Sequence, residues 1–305
     1  MTTLALSTMW AQQERFTDMA EFVRTVHRLG YDAIEISHLT PTEPFQQLLD
    51  HRDALFTSIH APAPLSHDKR GRANSSLNLA SLDEEERRAA IDHTRRSIDH
   101  AARTGIRFVV VHLGSVGSSI LESERRLRRL FDSGIREGAE VEALRRETVK
   151  RRAEQSPPYL ENARRTLEEL AAHALAHGVT LGIENRYHLH EIPLLEETPD
   201  LLAEHPPDVV GYWHDVGHAE VLHRLGLADA RAWLPALRDR TLGVHLHDVD
   251  GIGDHRAPGR GDMEWDHIAR GLPADALRVF EIDQGQPDEA VAGALEFLRA
   301  RGVVP

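Results

Sequence analysis

The chain has 305 residues, no cysteine, 41% hydrophobic residues and a formal net charge of −13. That is enough apolar material for one large core, and the missing thiols exclude disulfides and thiolate metal sites, so any metal must be held by nitrogen and oxygen. The negative charge weighs against broad attraction to a phosphate backbone, although a local basic patch could still hold nucleic acid.

The opening MTTLALSTMWAQQERF lacks the basic region and apolar core of a secretory signal, and no run of about 18 apolar residues follows, so a cytoplasmic protein without membrane contact is expected. Eight short apolar, β-branched runs then succeed one another. They are TLALSTM (3–9), YDAIEIS (31–37), LFTSIHA (55–61), RFVVVHL (107–113), VTLGIEN (179–185), VVGYWHD (209–215), LGVHLHD (242–248) and RVFEID (278–283). Helical segments separate them. Ser81 and Glu84 predict a capping box before a helix to Thr104, stopped by Gly105; Ser156 with Pro157 predicts the start of a second helix that Gly178 ends. Leu160, Ala163, Leu167, Leu170, Ala171 and Ala174 give that second helix one apolar face.

Strands apolar on both faces and alternating with helices predict a parallel sheet covered by helices. Eight such units predict an α/β fold, a closed (β/α)8 TIM barrel, as a single domain over 1–305. No Gly-x-Gly-x-x-Gly loop follows the first strand, which counts against a dinucleotide fold. Residues 116–155 exceed what a barrel needs and read as a charged helical insertion after the fourth strand, serving as a lid, a subunit contact in a homo-oligomer, or a solvated helical hairpin.

The ends of six consecutive strands carry potential ligands: His60, His112, Glu184, Asp215, His245 and Glu281. In a barrel these ends converge on one mouth, and His218 and His255 lie close enough in sequence to join them. One histidine at a strand end is usually a hydrogen-bonded core or rim residue. Six imidazoles and carboxylates gathered without a cation would leave the carboxylates crowded, so the joint pattern predicts a divalent metal. His247, on the same strand face as His245, reads as support for a ligand. His214 should point away from Asp215 and pack against a helix, whereas His188 and His190 fit either the mouth or a solvated loop.

The motifs HAP (60), NLAS (78), VVVHLGS (109), IEN (183), HDVGH (214), VHLHD (244), DHRAPGRGD (254) and FEID (280) resemble the xylose-isomerase-like TIM-barrel superfamily, which includes endonuclease IV and many sugar isomerases and epimerases. The resemblance spans nearly the whole chain. Its isomerase and epimerase branch implies one divalent metal on Glu184, Asp215, His245 and Glu281, with Glu184 and Glu281 as the acid and base pair. A metal chelating a carbonyl and its neighbouring hydroxyl acidifies the shared carbon and stabilises an enediolate. The expected substrate is then a small sugar, sugar acid, cyclitol or similar polyhydroxy carbonyl compound. The endonuclease IV branch implies a phosphodiesterase acting on abasic DNA with up to three ions: His60, His112 and Glu184 for one, Glu184, Asp215, His245 and Glu281 around a second, and His218 with His255 for a third. Two departures count against it. Gly253 stands where that branch has an aspartate ligand, with Asp254 one step out of register, and Ala63 stands where it has a tyrosine used on DNA.

Four further residues are candidates for binding substrate. Glu35 could bind hydroxyls or pair with an arginine, Arg186 could hold an anionic group or serve structurally, and Trp10 could stack on a sugar ring or pack in the core. Arg260, with Asp262, could shape the loop that carries His255. Imidazole with carboxylate suits zinc, manganese, cobalt or iron(II), and magnesium less well.

Overall fold

The computed structural model describes residues 3–51 and 54–305. Its strands are β1 (Leu4–Ser7), β2 (Ala33–Ile36), β3 (Phe56–Ala61), β4 (Phe108–Val111), β5 (Thr180–Glu184), β6 (Val210–Asp215), β7 (Thr241–Leu246), β8 (Asp248–Asp250), β9 (Gly253–Arg256) and β10 (Leu277–Phe280). Eight of them close into a parallel barrel in the order β1-β10-β7-β6-β5-β4-β3-β2. Each expected apolar run contains one barrel strand. The loop expected after the seventh strand contains instead an antiparallel hairpin, β8 with β9.

The helices are α1 (Met19–Arg28), α2 (Thr42–Leu49), α3 (Glu84–Thr104), α4 (Glu122–Asp132) and α5 (Ala139–Ala176). They continue with α6 (Thr198–Ala203), α7 (Val216–Arg224), α8 (Ala230–Leu237), α9 (Asp266–Gly271) and α10 (Asp288–Arg299).

Alternation along the strands divides the barrel interior into two layers. Ala5, Ala33, Val110, Trp213 and Val279 form a separate, fully buried apolar cluster inside the barrel. Trp213 fills that layer because its neighbours yield space: a Cβ at Gly182 would come within 2.9 Å of the indole, and one at Gly243 within 2.6 Å. Two positions further along β3, β5, β6, β7 and β10 the inward residues become His60, Glu184, Asp215, His245 and Glu281. The apolar layer is therefore the floor of a polar one.

Two helix starts differ from expectation. Asp83, not Ser81, caps α3, its Oδ1 accepting from the backbone N–H groups of Glu85 (2.9 Å) and Glu86 (3.4 Å), while Ser81 Oγ donates to the Glu86 carboxylate at 2.7 Å. Glu84 is turned to Arg87 and Arg88. Ser156 and Pro157 start nothing, because α5 runs unbroken through Pro157 and Pro158. A proline removes the donor to the carbonyl four residues back, here Ala153, and Ser156 Oγ supplies a replacement at 3.1 Å. Both prolines are exposed.

The insertion is therefore the outer half of the same helix that covers the barrel, with α4 packed along it through buried Leu127, Phe131, Val141 and Leu144. It is not a solvated hairpin. Buried Glu124 faces His188 at 3.0 Å and accepts from the Leu189 N–H, and the Arg128 guanidinium lies 4.3 Å over the Tyr187 ring and donates to Tyr187 O at 2.7 Å. The insertion thus grips the loop after β5. Among the described residues no helix is long and apolar enough to cross a membrane.

Candidate metal centre

The six predicted strand-end residues do meet at the C-terminal mouth. His245 Nδ1 lies 2.7 Å from Glu184 Oε1, 3.2 Å from Glu281 Oε2 and 3.7 Å from Asp215 Oδ2, all four side chains being buried. The other ring nitrogen, Nε2, faces Glu35 Oε1 at 2.9 Å, and Glu35 accepts a second hydrogen bond from Ser58 Oγ at 2.6 Å. His245 is thereby oriented from behind, which presents Nδ1 to the three carboxylates.

Asp215 has more than one duty. Its Oδ1 caps α7 by accepting from His218 N at 2.7 Å, and His247 Nε2 lies 3.0 Å from both its oxygens. The close approach of His247 explains Gly217, where a Cβ would come within 2.1 Å of the imidazole. Asn185 fixes the strand end, accepting from Asp215 N and donating to Asp215 O, each at 2.8 Å.

Two further groups flank this centre. On one side His112 Nε2 and His60 Nε2 lie 2.7 and 3.3 Å from Glu184 Oε2, with the His38 ring 4.7 Å from that of His60. Arg186 Nη1 also sits on Glu184 Oε2, at 2.9 Å, and against His112 Nε2, while its other nitrogens hold Glu191 at 3.1–3.2 Å. A fixed cation therefore already stands where an ion shared by His112 and Glu184 would be placed. On the other side His218 Nε2 is 3.6 Å from Asp254 Oδ2, and His255 Nδ1 is 3.1 Å from Asp254 Oδ1. Neighbouring residues of an extended strand point to opposite faces. His255 has φ +56°, and this left-handed backbone turns both side chains to the cavity. Asp254 thus reaches the position that its register in the sequence seemed to deny it.

The electrostatics are those of a cation site. Burial alone would raise Glu184, but His112 and His245 hold it well below the usual carboxylate range. Burial likewise opposes ionisation of Glu281, which His245 and His255 bring far down. His245 goes the other way: burial would lower it, yet Glu281, Glu35 and Glu184 raise it well above an ordinary imidazole. Burial and then Arg186 depress His112 to about 3, leaving it neutral and able to coordinate. Three carboxylates thus converge on one imidazole nitrogen, the kind of point at which a cation is stabilised.

The profile of the family described as xylose isomerase-like TIM barrel matches residues 23–301. The chain belongs to that family. No curated protein sequence matches it. Among solved structures, similar ones include a D-tagatose 3-epimerase-like protein (18% identity, TM-score 0.66, covering 99% of this chain and 97% of that one). Another is 3-keto-D-glucoside 4-epimerase from E. coli (16%, 0.67, 98% and 100%). A third is the IOLI protein with a bound zinc atom (14%, 0.66, 99% and 98%). At these identities the likeness establishes the barrel.

Within this family barrel the cavity above the centre measures about 390 Å³ and is lined by His38, His60, His112, Arg186, His218 and Glu281 among others. Three sequence expectations for substrate contacts are corrected. Trp10 is wholly buried, packed on Phe16 and Phe22 with its indole N–H donating to Gln286 O at 2.8 Å, so no ring face is open to a sugar. Glu35 is sealed beneath His245, and its polar partners are His245 and Ser58 rather than an arginine. Arg260 is exposed and lies outside the cavity lining, and Asp262 binds Arg224 at 2.6 Å. Of the surplus histidines, His188 lines the cavity, His190 is buried beside it, and His214 turns outward to the Tyr212 hydroxyl at 2.7 Å.

Sequence reasoning missed His38, which follows β2 by two residues and lies off the strand alternation, and it missed the support that Glu35 gives. Loss of such a partner typically weakens metal binding 10- to 100-fold. Glu35→Gln is therefore expected to weaken zinc or manganese binding by about that factor without abolishing it; affinity equal to wild type in a calorimetric titration would show that Glu35 does not set the His245 ring.

Proposed function

We propose that this protein is a divalent-metal-dependent isomerase or epimerase of a small polyhydroxy carbonyl compound: a sugar, sugar acid or cyclitol. The observation that carries this reading is the convergence of Glu184, Asp215 and Glu281 on His245 Nδ1, with Arg186 filling the adjoining space between Glu184 and His112. One nitrogen and three carboxylates at one buried point fit one ion; the imidazole suits zinc, cobalt or iron(II), and the carboxylate majority suits manganese as well. When bound, that ion polarises the substrate's carbonyl oxygen.

The chain's own groups do the rest. Glu184 and Glu281 arrive from β5 and β10, with two strands between them, and so flank a substrate carbon from different sides; one takes its proton and the other returns it. Arg186 and the neutral His112 offer donors to the substrate's oxygens at the rim. A cavity of about 390 Å³ suits a monosaccharide-sized ligand. The epimerases among the similar structures support the same reading.

A second reading, an endonuclease IV-like phosphodiesterase, draws on the His218, Asp254 and His255 group, a further set of potential ligands. Against it stand Arg186 in the space between Glu184 and His112, and Ala63, buried with its backbone tied to Ser97 of α3 where an aromatic wedge would be needed.

The deciding experiment incubates the metal-loaded protein with a panel of ketoses in D2O and follows deuterium entering the carbon beside the carbonyl, in parallel with nicking of duplex DNA at an abasic site. Exchange that stops on chelation is expected; nicking without exchange would sink the proposal. Metal located by anomalous scattering gives a second check, with one ion expected at the mouth of the barrel. Arg186→Ala empties the space between Glu184 and His112 and is expected to raise that number towards two.

A further inference from the structure

We infer that Asp99, His173 and His177 form a second, independent transition-metal site on the face of the barrel opposite the cavity. Asp99 lies on α3, and His173 and His177 lie one turn apart at the end of α5; both helices lead through short turns into the N-terminal ends of β4 and β5. That is the underside of the barrel, remote from the mouth.

The three side chains bring one ligand atom each within 4.8 Å of the others. His173 Nε2 is 2.7 Å and His177 Nε2 3.8 Å from the same oxygen, Asp99 Oδ1. Zinc bonds of about 2.0–2.1 Å in tetrahedral geometry place neighbouring ligands roughly 3.3 Å apart, a value that lies between these two. Rotations of the half-exposed side chains close the difference.

The orientation of His177 supports a ligand role. Its Nδ1–H donates to His173 O at 2.8 Å, which fixes the ring with Nε2 turned toward the Asp99 carboxylate. A backbone carbonyl fixing the opposite ring nitrogen is the usual support of a metal-bound histidine. The last carbonyls of α5 add negative potential at the same place. Two imidazoles, one carboxylate and an open fourth position for water suit zinc, with nickel and copper bound at least as well. The ion would tie α3 to α5, two helices that already meet through Arg87 and Thr166, and its effect is on stability.

This inference does not depend on the proposed activity, and its test separates the two sites. Wild type and His177→Ala are dialysed to equilibrium against zinc chloride, their metal is counted, and zinc-soaked crystals are measured for anomalous scattering. Wild type is expected to hold one ion more than the variant, with an anomalous peak between Asp99 and His173, while the ion among Glu184, Asp215, His245 and Glu281 is unchanged. Zinc beyond that needed for the mouth should also raise the wild-type Tm by about 2–4 °C and leave that of His177→Ala or Asp99→Asn in place. Equal stoichiometry in wild type and variants, or no peak beside Asp99, would overturn the assignment and reduce the cluster to an interhelical hydrogen bond.

Discussion

Glu184→Gln is expected to lower kcat/KM by at least about 10³-fold while leaving the fold intact. Glu184 presents one oxygen to His245 at 2.7 Å and the other to His112 and Arg186 at 2.7 and 2.9 Å, so under the proposed function it serves both in the ion-binding quartet and in the proton-transferring pair. An acid or base group alone contributes about 10²- to 10⁴-fold, and loss of a ligand adds to that. The amide has the carboxylate's shape but lacks its charge, and it leaves the Arg186 guanidinium and the buried His245 with a weaker partner, so the variant should also unfold at a somewhat lower temperature than wild type while remaining folded at assay temperature. Glu281→Gln should behave alike, since Glu281 lies 3.2 Å from the same nitrogen. Turnover near wild type in either variant would remove that residue from the chemistry.

The second large effect concerns the floor beneath the site. Trp213→Ala is expected to destabilise the protein by about 3–5 kcal/mol, because the indole is completely buried and the surrounding layer of Ala5, Ala33 and glycines has little side chain with which to refill the space. Gly243→Ala attacks the same contact from the other side, with its Cβ 2.6 Å from the ring. Urea denaturation measures both. A loss below about 1 kcal/mol for Trp213→Ala would contradict a packed interior. A metal titration of the folded variant would show whether the quartet above survives on a softened base.

The barrel was legible because its signals are local. β-branched runs of the right length, separated by helices that end at Gly105 and near Gly178, leave few other arrangements, and residues at strand ends converge once the barrel closes. What escaped depends on partners far away in sequence. Trp10 is held by Gln286, Glu35 by His245, and Asp99 by a helix that begins 40 residues later. Asp254 was judged by its register, which one left-handed residue, His255, overrides. Ser156 and Pro157 carry the ordinary marks of a helix start, and a single hydroxyl bonded to Ala153 O turns them into the middle of one.

That uninterrupted α5 ties together regions that a break would have separated. At about 1.5 Å per residue its 38 residues form a rod some 57 Å long, fastened near its middle where Arg152 binds Glu197 and the carbonyls of Leu189 and Glu191. The outer half, with α4 packed along it, therefore belongs to the same element as the inner half that covers the barrel. The wall that it braces, residues 186–197, is thereby tied to the helix that covers the barrel, so one bank of the mouth is built on the insertion itself.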